Sequence, residues 1–155
     1  MLKNPRHGWC DLKISGVSIP VSCTTDAPLD LLDAFSEYLG NVARMGWSRP
    51  ATVEFDREEE GEAVLVIRHL ESYIIYDDPD SGSVSVTVIH RSVHELAEEL
   101  ANDIEDPGVS AWVKYFLASA DPEEDEVLEK LIKKKLRRLK NLLRNYTGCG
   151  RGYVR

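Results

Sequence analysis

Thr24-Thr25-Asp26-Ala27-Pro28-Leu29-Asp30-Leu31-Leu32-Asp33-Ala34-Phe35-Ser36-Glu37-Tyr38-Leu39-Gly40 holds a helix start, an apolar stripe and a helix stop in seventeen residues. Thr25 or Asp26 is placed to cap the first free amides, and Pro28 suits the first turn, where its missing N–H costs nothing. Leu31, Leu32, Phe35, Tyr38 and Leu39 recur at helical spacing, and Gly40 stands where a left-handed C-cap is expected. Two short alternating segments precede this helix, and three or four follow it. The pattern predicts an α+β fold: an antiparallel sheet of five to six strands, the Pro28–Leu39 helix across one face, then C-terminal helices.

Upstream, Cys10, Leu12 and Ile14 alternate with Trp9, Asp11 and Lys13, the signature of a half-buried strand. Ser15-Gly16 supplies a tight turn into Val17, Ile19, Val21 and Cys23, and Pro20, which removes one ladder amide, puts that second strand at an edge or turns that position outward. Downstream, the connector from Asn41 to Pro50 has an apolar tip at Met45-Gly46-Trp47. Trp47 either covers the end of the core or belongs to a contact surface. Val53 and Phe55, then Ala63 to Ile67, then Tyr73 to Tyr76, then Val84, Val86 and Val88 mark further strands. The last alternates with Ser83, Ser85 and Thr87, which predicts one wet face.

Ser92 and Glu95 have capping-box spacing ahead of Val93, Leu96, Ala97, Leu100, Ala101 and Ile104. Asp106-Pro107-Gly108 ends that helix, and a short apolar piece carrying Trp112, Tyr115, Phe116 and Leu117 follows. Residues 1–120 thus form one α+β domain, residues 121–146 a basic helix, and residues 147–155 a glycine-rich tail expected to be disordered. In the basic helix Ile132, Leu136, Leu139, Leu143 and Tyr146 follow a heptad seam. Two heptads leave two placements open, packing on the chain's own domain or a homodimer interface.

Charge is distributed unevenly. Residues 1–129 carry all 27 acids against 9 Lys and Arg, a charge of −18, while residues 130–155 carry 10 bases and no acid. An acidic body steers basic partners and repels nucleic acid, so the bases from Lys130 to Arg144 point to a solvated face or an acidic docking partner. The acids at turns, Asp56, Glu58, Glu59, Glu60, Asp77, Asp78 and Asp80, form the candidate partner surface. No apolar run approaches the ~20 residues that span a bilayer. Met1 to His7 lacks the apolar middle of a signal peptide, and three cysteines make no disulfide framework. These features predict a cytoplasmic protein without a membrane segment.

Catalytic signals are absent from the sequence. His90 and His94 are four apart, but the Ser92 cap leaves His90 outside the helix, and no glutamate follows it as a zinc-protease motif requires. The acidic turns lack calcium-loop spacing, and no glycine-rich segment joins a strand to a helix to hold phosphate. No cofactor or metal is predicted. The preferred expectation is a non-catalytic binding module, and the alternative is a small enzyme with a site assembled from distant residues.

Gly8-Trp9-Cys10-Asp11-Leu12-Lys13-Ile14, Ser22, Thr25-Asp26-Ala27-Pro28-Leu29-Asp30-Leu31-Leu32 and Phe55-Asp56 together resemble a group of small bacterial proteins of unassigned function. Some of that group are similar to immunity proteins of polymorphic toxin systems. The resemblance spans roughly the first half of the chain. It implies a bacterial cytoplasmic α+β protein, adds weight to the expectation of a binding role toward another protein such as a basic toxin, and carries over no site residues.

Overall fold

The computed structural model describes residues 1–58, 61–78, 81–116 and 122–146. Among these residues seven strands form two antiparallel sheets rather than one sheet of five or six. Strands β1 (Leu2–Arg6), β2 (Trp9–Ile14) and β3 (Val17–Ser22) form the first, in that order. Strands β4 (Ala51–Asp56), β5 (Glu62–Ile67), β6 (Ser72–Asp78) and β7 (Ser83–Ile89) form the second, also in chain order. Between the sheets in sequence lies α1 (Ala27–Met45). Helices α2 (Val93–Glu105), α3 (Val109–Val113, with a 3-10 turn at Lys114–Phe116) and α4 (Pro122–Asn145) follow the second sheet.

The division into two sheets has a local cause. Each sheet is a run of hairpins, and the 19-residue helix α1 separates the two runs. Strand β3 carries Pro20, which has no amide to donate, and it pairs with β2 alone. Strand β1 escaped the sequence reading because Asn4 (φ 53°) and Pro5 break its alternation. Its register against β2 shifts between Lys3 and Arg6. At the β2–β3 turn, Ser15 (φ 48°) and Gly16 (φ 84°) both lie in the left-handed region, as a two-residue type I′ hairpin requires.

Helix α1 buries Leu31, Leu32, Phe35 and Leu39 completely, but it packs on α2, α4 and the edge strand β4 rather than across a single sheet. It also runs past Gly40. The left-handed C-cap is Gly46 (φ 75°), whose amide donates to the Val42 carbonyl. Gly40 faces the Leu142 side chain on α4, where an added Cβ would stand in ordinary van der Waals contact. Asp26 is the N-cap residue without accepting a side-chain cap bond. The Thr25 hydroxyl instead accepts from the Asp56 amide at 2.8 Å and ties the start of α1 to β4. On α2 the Ser92–Glu95 capping box is present in both directions.

One core joins all these parts. It takes Leu12, Ile19 and Val21 from the first sheet and Phe55, Leu65 and Ile74 from the second. Leu96 and Leu100 of α2, Trp112 of α3, and Ile132, Leu136 and Leu139 of α4 close it. The heptad seam therefore faces the chain's own core, with Leu143 and Tyr146 packed at its margin. Tyr146 lies 5.6 Å from the His94 ring. Residues 147–155, expected to be a disordered tail, lie outside the described residues, as do Leu117 and Asp121.

The valines of β7 depart from expectation. Val84, Val86 and Val88 are 65%, 61% and 40% exposed, and it is the Ser85–Thr87 face that lies on the core side. The register explains this. Thr87 pairs with buried Ile74, whereas Val86 and Val88 pair with Ile75 and Tyr73 on the opposite face.

Candidate functional site

The polar face of α1 carries Asp30, Asp33 and Glu37, spaced three and four apart and so aligned along one side of the helix. Strand β4 runs beside that face, and its alternation buries Val53 and Phe55 while Thr52 and Glu54 point outward. Between helix and strand lies a groove of about 630 Å³. Asp30, Asp33 and Glu37 line one wall, Thr52 and Glu54 the other, and Met45, Trp47 and Arg49 the far end.

Trp47 does not cover the core. It is 56% exposed, and Met45 beside it is 52% exposed, because the Gly46 cap turns the chain away from the helix axis. An exposed indole at the mouth of a carboxylate-lined groove offers a cation both a π face and charge.

The carboxylates are unevenly neutralised. Asp33 is ion-paired with Lys135 of α4. Desolvation, reinforced by the charges of Asp26 and Asp33 and only partly offset by Lys135, raises the Asp30 pKa above the ordinary carboxylate value. A raised folded-state pKa means that Asp30 favours the fold when protonated and disfavours it when charged, at neutral pH. The contribution to stability is present at acid pH and lost as pH rises through the folded value. Asp30→Asn should therefore raise the melting temperature at pH 7. The gain should fade as pH drops and vanish in melts at about pH 3, well below the ~3.9 of an unperturbed aspartate, where the group carries its proton in either state.

The acids singled out from the turns meet at one end of the second sheet, where the β4–β5 and β6–β7 hairpins lie side by side. Asp56, Glu58, Asp77 and Asp78 are there. Glu59, Glu60 and Asp80 lie outside the described residues. Several of these side chains hold the turns together. Asp56 accepts from the Thr24 hydroxyl at 2.8 Å and from the Glu58 amide at 2.7 Å. Those two hydrogen bonds keep its carboxyl below the ordinary range. Glu58 accepts from the Ser22 hydroxyl at 3.0 Å, joining the two sheets. Asp77 accepts from the Glu62 amide at 3.2 Å, while its carbonyl accepts from buried Arg57 at 2.6 Å.

The basic helix is partly matched within the chain. Lys130 and Lys133 pair with Glu126 and Glu129 one turn earlier, Lys135 with Asp33, and Lys140 with Glu105 at 2.7 Å. The thiol of Cys10 is buried, and desolvation pushes its pKa up to about 12, so it stays protonated at neutral pH. Among the described residues no three His, Cys, Asp or Glu side chains converge where a metal ion could sit. No described helix is long and apolar enough to cross a membrane.

The groove itself was missed by sequence reasoning. The spacing of Asp30, Asp33 and Glu37 was visible, but Glu54 reaches them only through the tertiary placement of β4. No protein-family model matches the chain, and comparison with curated proteins and with solved structures finds no match either.

Proposed function

We propose that this chain is a non-catalytic protein-binding module that receives a cationic segment of a partner protein in the groove between α1 and β4. The observation that carries this reading is the pairing of the carboxylates of Asp30, Glu37 and Glu54 with exposed Trp47 around one groove. Carboxylates offer only acceptors, which lysine and arginine side chains complement, and the indole face adds a cation–π contact. Asp30 retains an uncomfortable charge that a bound cation relieves. The acidic hairpin end, with Asp56, Glu58, Asp77 and Asp78, extends the same negative field and speeds encounter with a basic partner.

The immunity-type form of this reading, in which the partner is a basic toxin met in the bacterial cytoplasm, draws its support from the resemblance in the first half of the chain. Affinity capture from the source cell, with bound proteins identified by mass spectrometry, tests the reading. The wild-type chain should retain a basic protein that salt releases, because exposed charges are screened over ~8 Å at physiological ionic strength. Trp47→Ala should retain much less of it. Capture of the same proteins by both baits, or of no basic protein, contradicts the proposal.

A further inference from the structure

The two sheets have four edges, and three are blocked. Strand β1 is broken by Pro5 and an irregular register and lies beside α2 and α3. Strand β3 carries Pro20 and approaches β4, and β4 is flanked by α1. The fourth edge, β7, is different. Ser83-Val84-Ser85-Val86-Thr87-Val88-Ile89 contains no charge, no proline and no glycine, and all seven residues pair in unbroken register with β6. Among the described residues no strand pairs with its other edge, which leaves backbone groups unpaired along the strand. Natural sheets rarely leave such an edge open, because it recruits another strand.

The face beside this edge is apolar as well. Val84, Val86 and Val88 continue Ile75 and Tyr73 of β6 and Val64 and Val66 of β5 on the side away from the core. Val66 on this face is buried and Val64, Tyr73 and Ile75 are half-buried, so the exposed part of it is the β7 row of Val84, Val86 and Val88.

Charge indicates what covers the strand. The end of the sheet where β7 begins is acidic, with Asp56, Glu58, Glu62, Asp77 and Asp78 against Arg57. The end where β7 finishes carries Arg49, Arg68 and Arg91 against Glu71 and Glu99, the last ion-paired with Arg91, and Arg68 lies over the Tyr73 ring at 5.9 Å. A second copy added antiparallel about a two-fold axis at Val86 sets each acidic end beside the other's basic end. The same axis places Val86 opposite its symmetry mate and Val84 opposite Val88, as an isologous contact demands.

We infer that the protein forms a two-fold dimer through antiparallel pairing of β7 with β7 of a second copy, giving one continuous eight-stranded sheet. The groove at β4 lies at the opposite edge of that sheet, so both copies keep it open. This interface stands independently of what the groove binds.

Sedimentation analysis of the full chain tests it. The wild type should sediment as a particle of twice 17.5 kDa. Val86→Lys places two like charges directly opposite each other at the axis and should yield the 17.5 kDa monomer. Because Val86 is exposed, its melting curve should stay that of a folded chain. Leu131→Lys, on the solvent side of α4, should remain dimeric. A wild-type monomer, a Val86→Lys chain that stays dimeric, or dissociation by Leu131→Lys instead would overturn the inference.

Discussion

Replacing Trp112 with alanine should destabilise the protein by about 3–5 kcal/mol, a large part of the ~5–15 kcal/mol that holds a domain of this kind together. Trp112 is fully buried where α3 meets the core, in edge contact with Tyr115 at 6.4 Å between ring centroids. Tyr115 in turn directs its hydroxyl at the carbonyls of Ser22 (2.6 Å) and Thr25 (2.7 Å), at the junction of β3 and α1. A cavity at Trp112 therefore loosens the wedge that holds the first sheet to the long helix. Trp112→Phe should cost far less. The indole N–H has no acceptor among the described residues, and phenylalanine removes that orphaned donor while keeping most of the ring volume. Chemical denaturation of both variants checks the ranking. Equal losses would mean that ring volume is not what matters at this position.

The second large effect is on binding. Glu37→Lys combined with Glu54→Lys reverses one charge on each wall of the groove. Both side chains are exposed and neither holds an ion pair among those between described residues, so the melting temperature should move little. Affinity for a cationic peptide should fall by about 3 kcal/mol, roughly a hundredfold, as two attractions become repulsions near the surface. The same double change at Asp77 and Glu58 should weaken binding less, because those carboxylates lie at the hairpin end outside the groove. Isothermal titration of the three proteins with one arginine-rich peptide measures the order. A hairpin variant that loses more than the groove variant would move the site.

The local signals in the chain were legible where side chains and backbone agree over a short span. The α1 stripe, the Ser15-Gly16 hairpin, the Ser92–Glu95 capping box and the edge placement of Pro20 all depend on neighbours within a few residues. What escaped depends on partners distant in sequence. Gly40 looks like a helix stop, but the helix runs on to Met45 against α4 and takes its left-handed cap at Gly46. The β7 valines look like a core face, yet the face turned inward is decided by Ile74 on β6. Whether seven strands make one sheet or two is set by which edges meet, and alternation within a strand carries no record of that. The groove shows the same division: the acids of α1 are readable, and their approach to Glu54 is not.

Amide shift mapping tests the central proposal most directly. An isotope-labelled chain is titrated with an arginine-rich peptide at physiological ionic strength, where non-specific attraction is screened. Binding in the groove should shift the amides of residues 30–37 and 45–54 and the Trp47 indole, and leave the hairpin end and the α4 surface nearly still. Shifts scattered over every acidic turn, or confined to residues around Asp56 and Asp77, would contradict it.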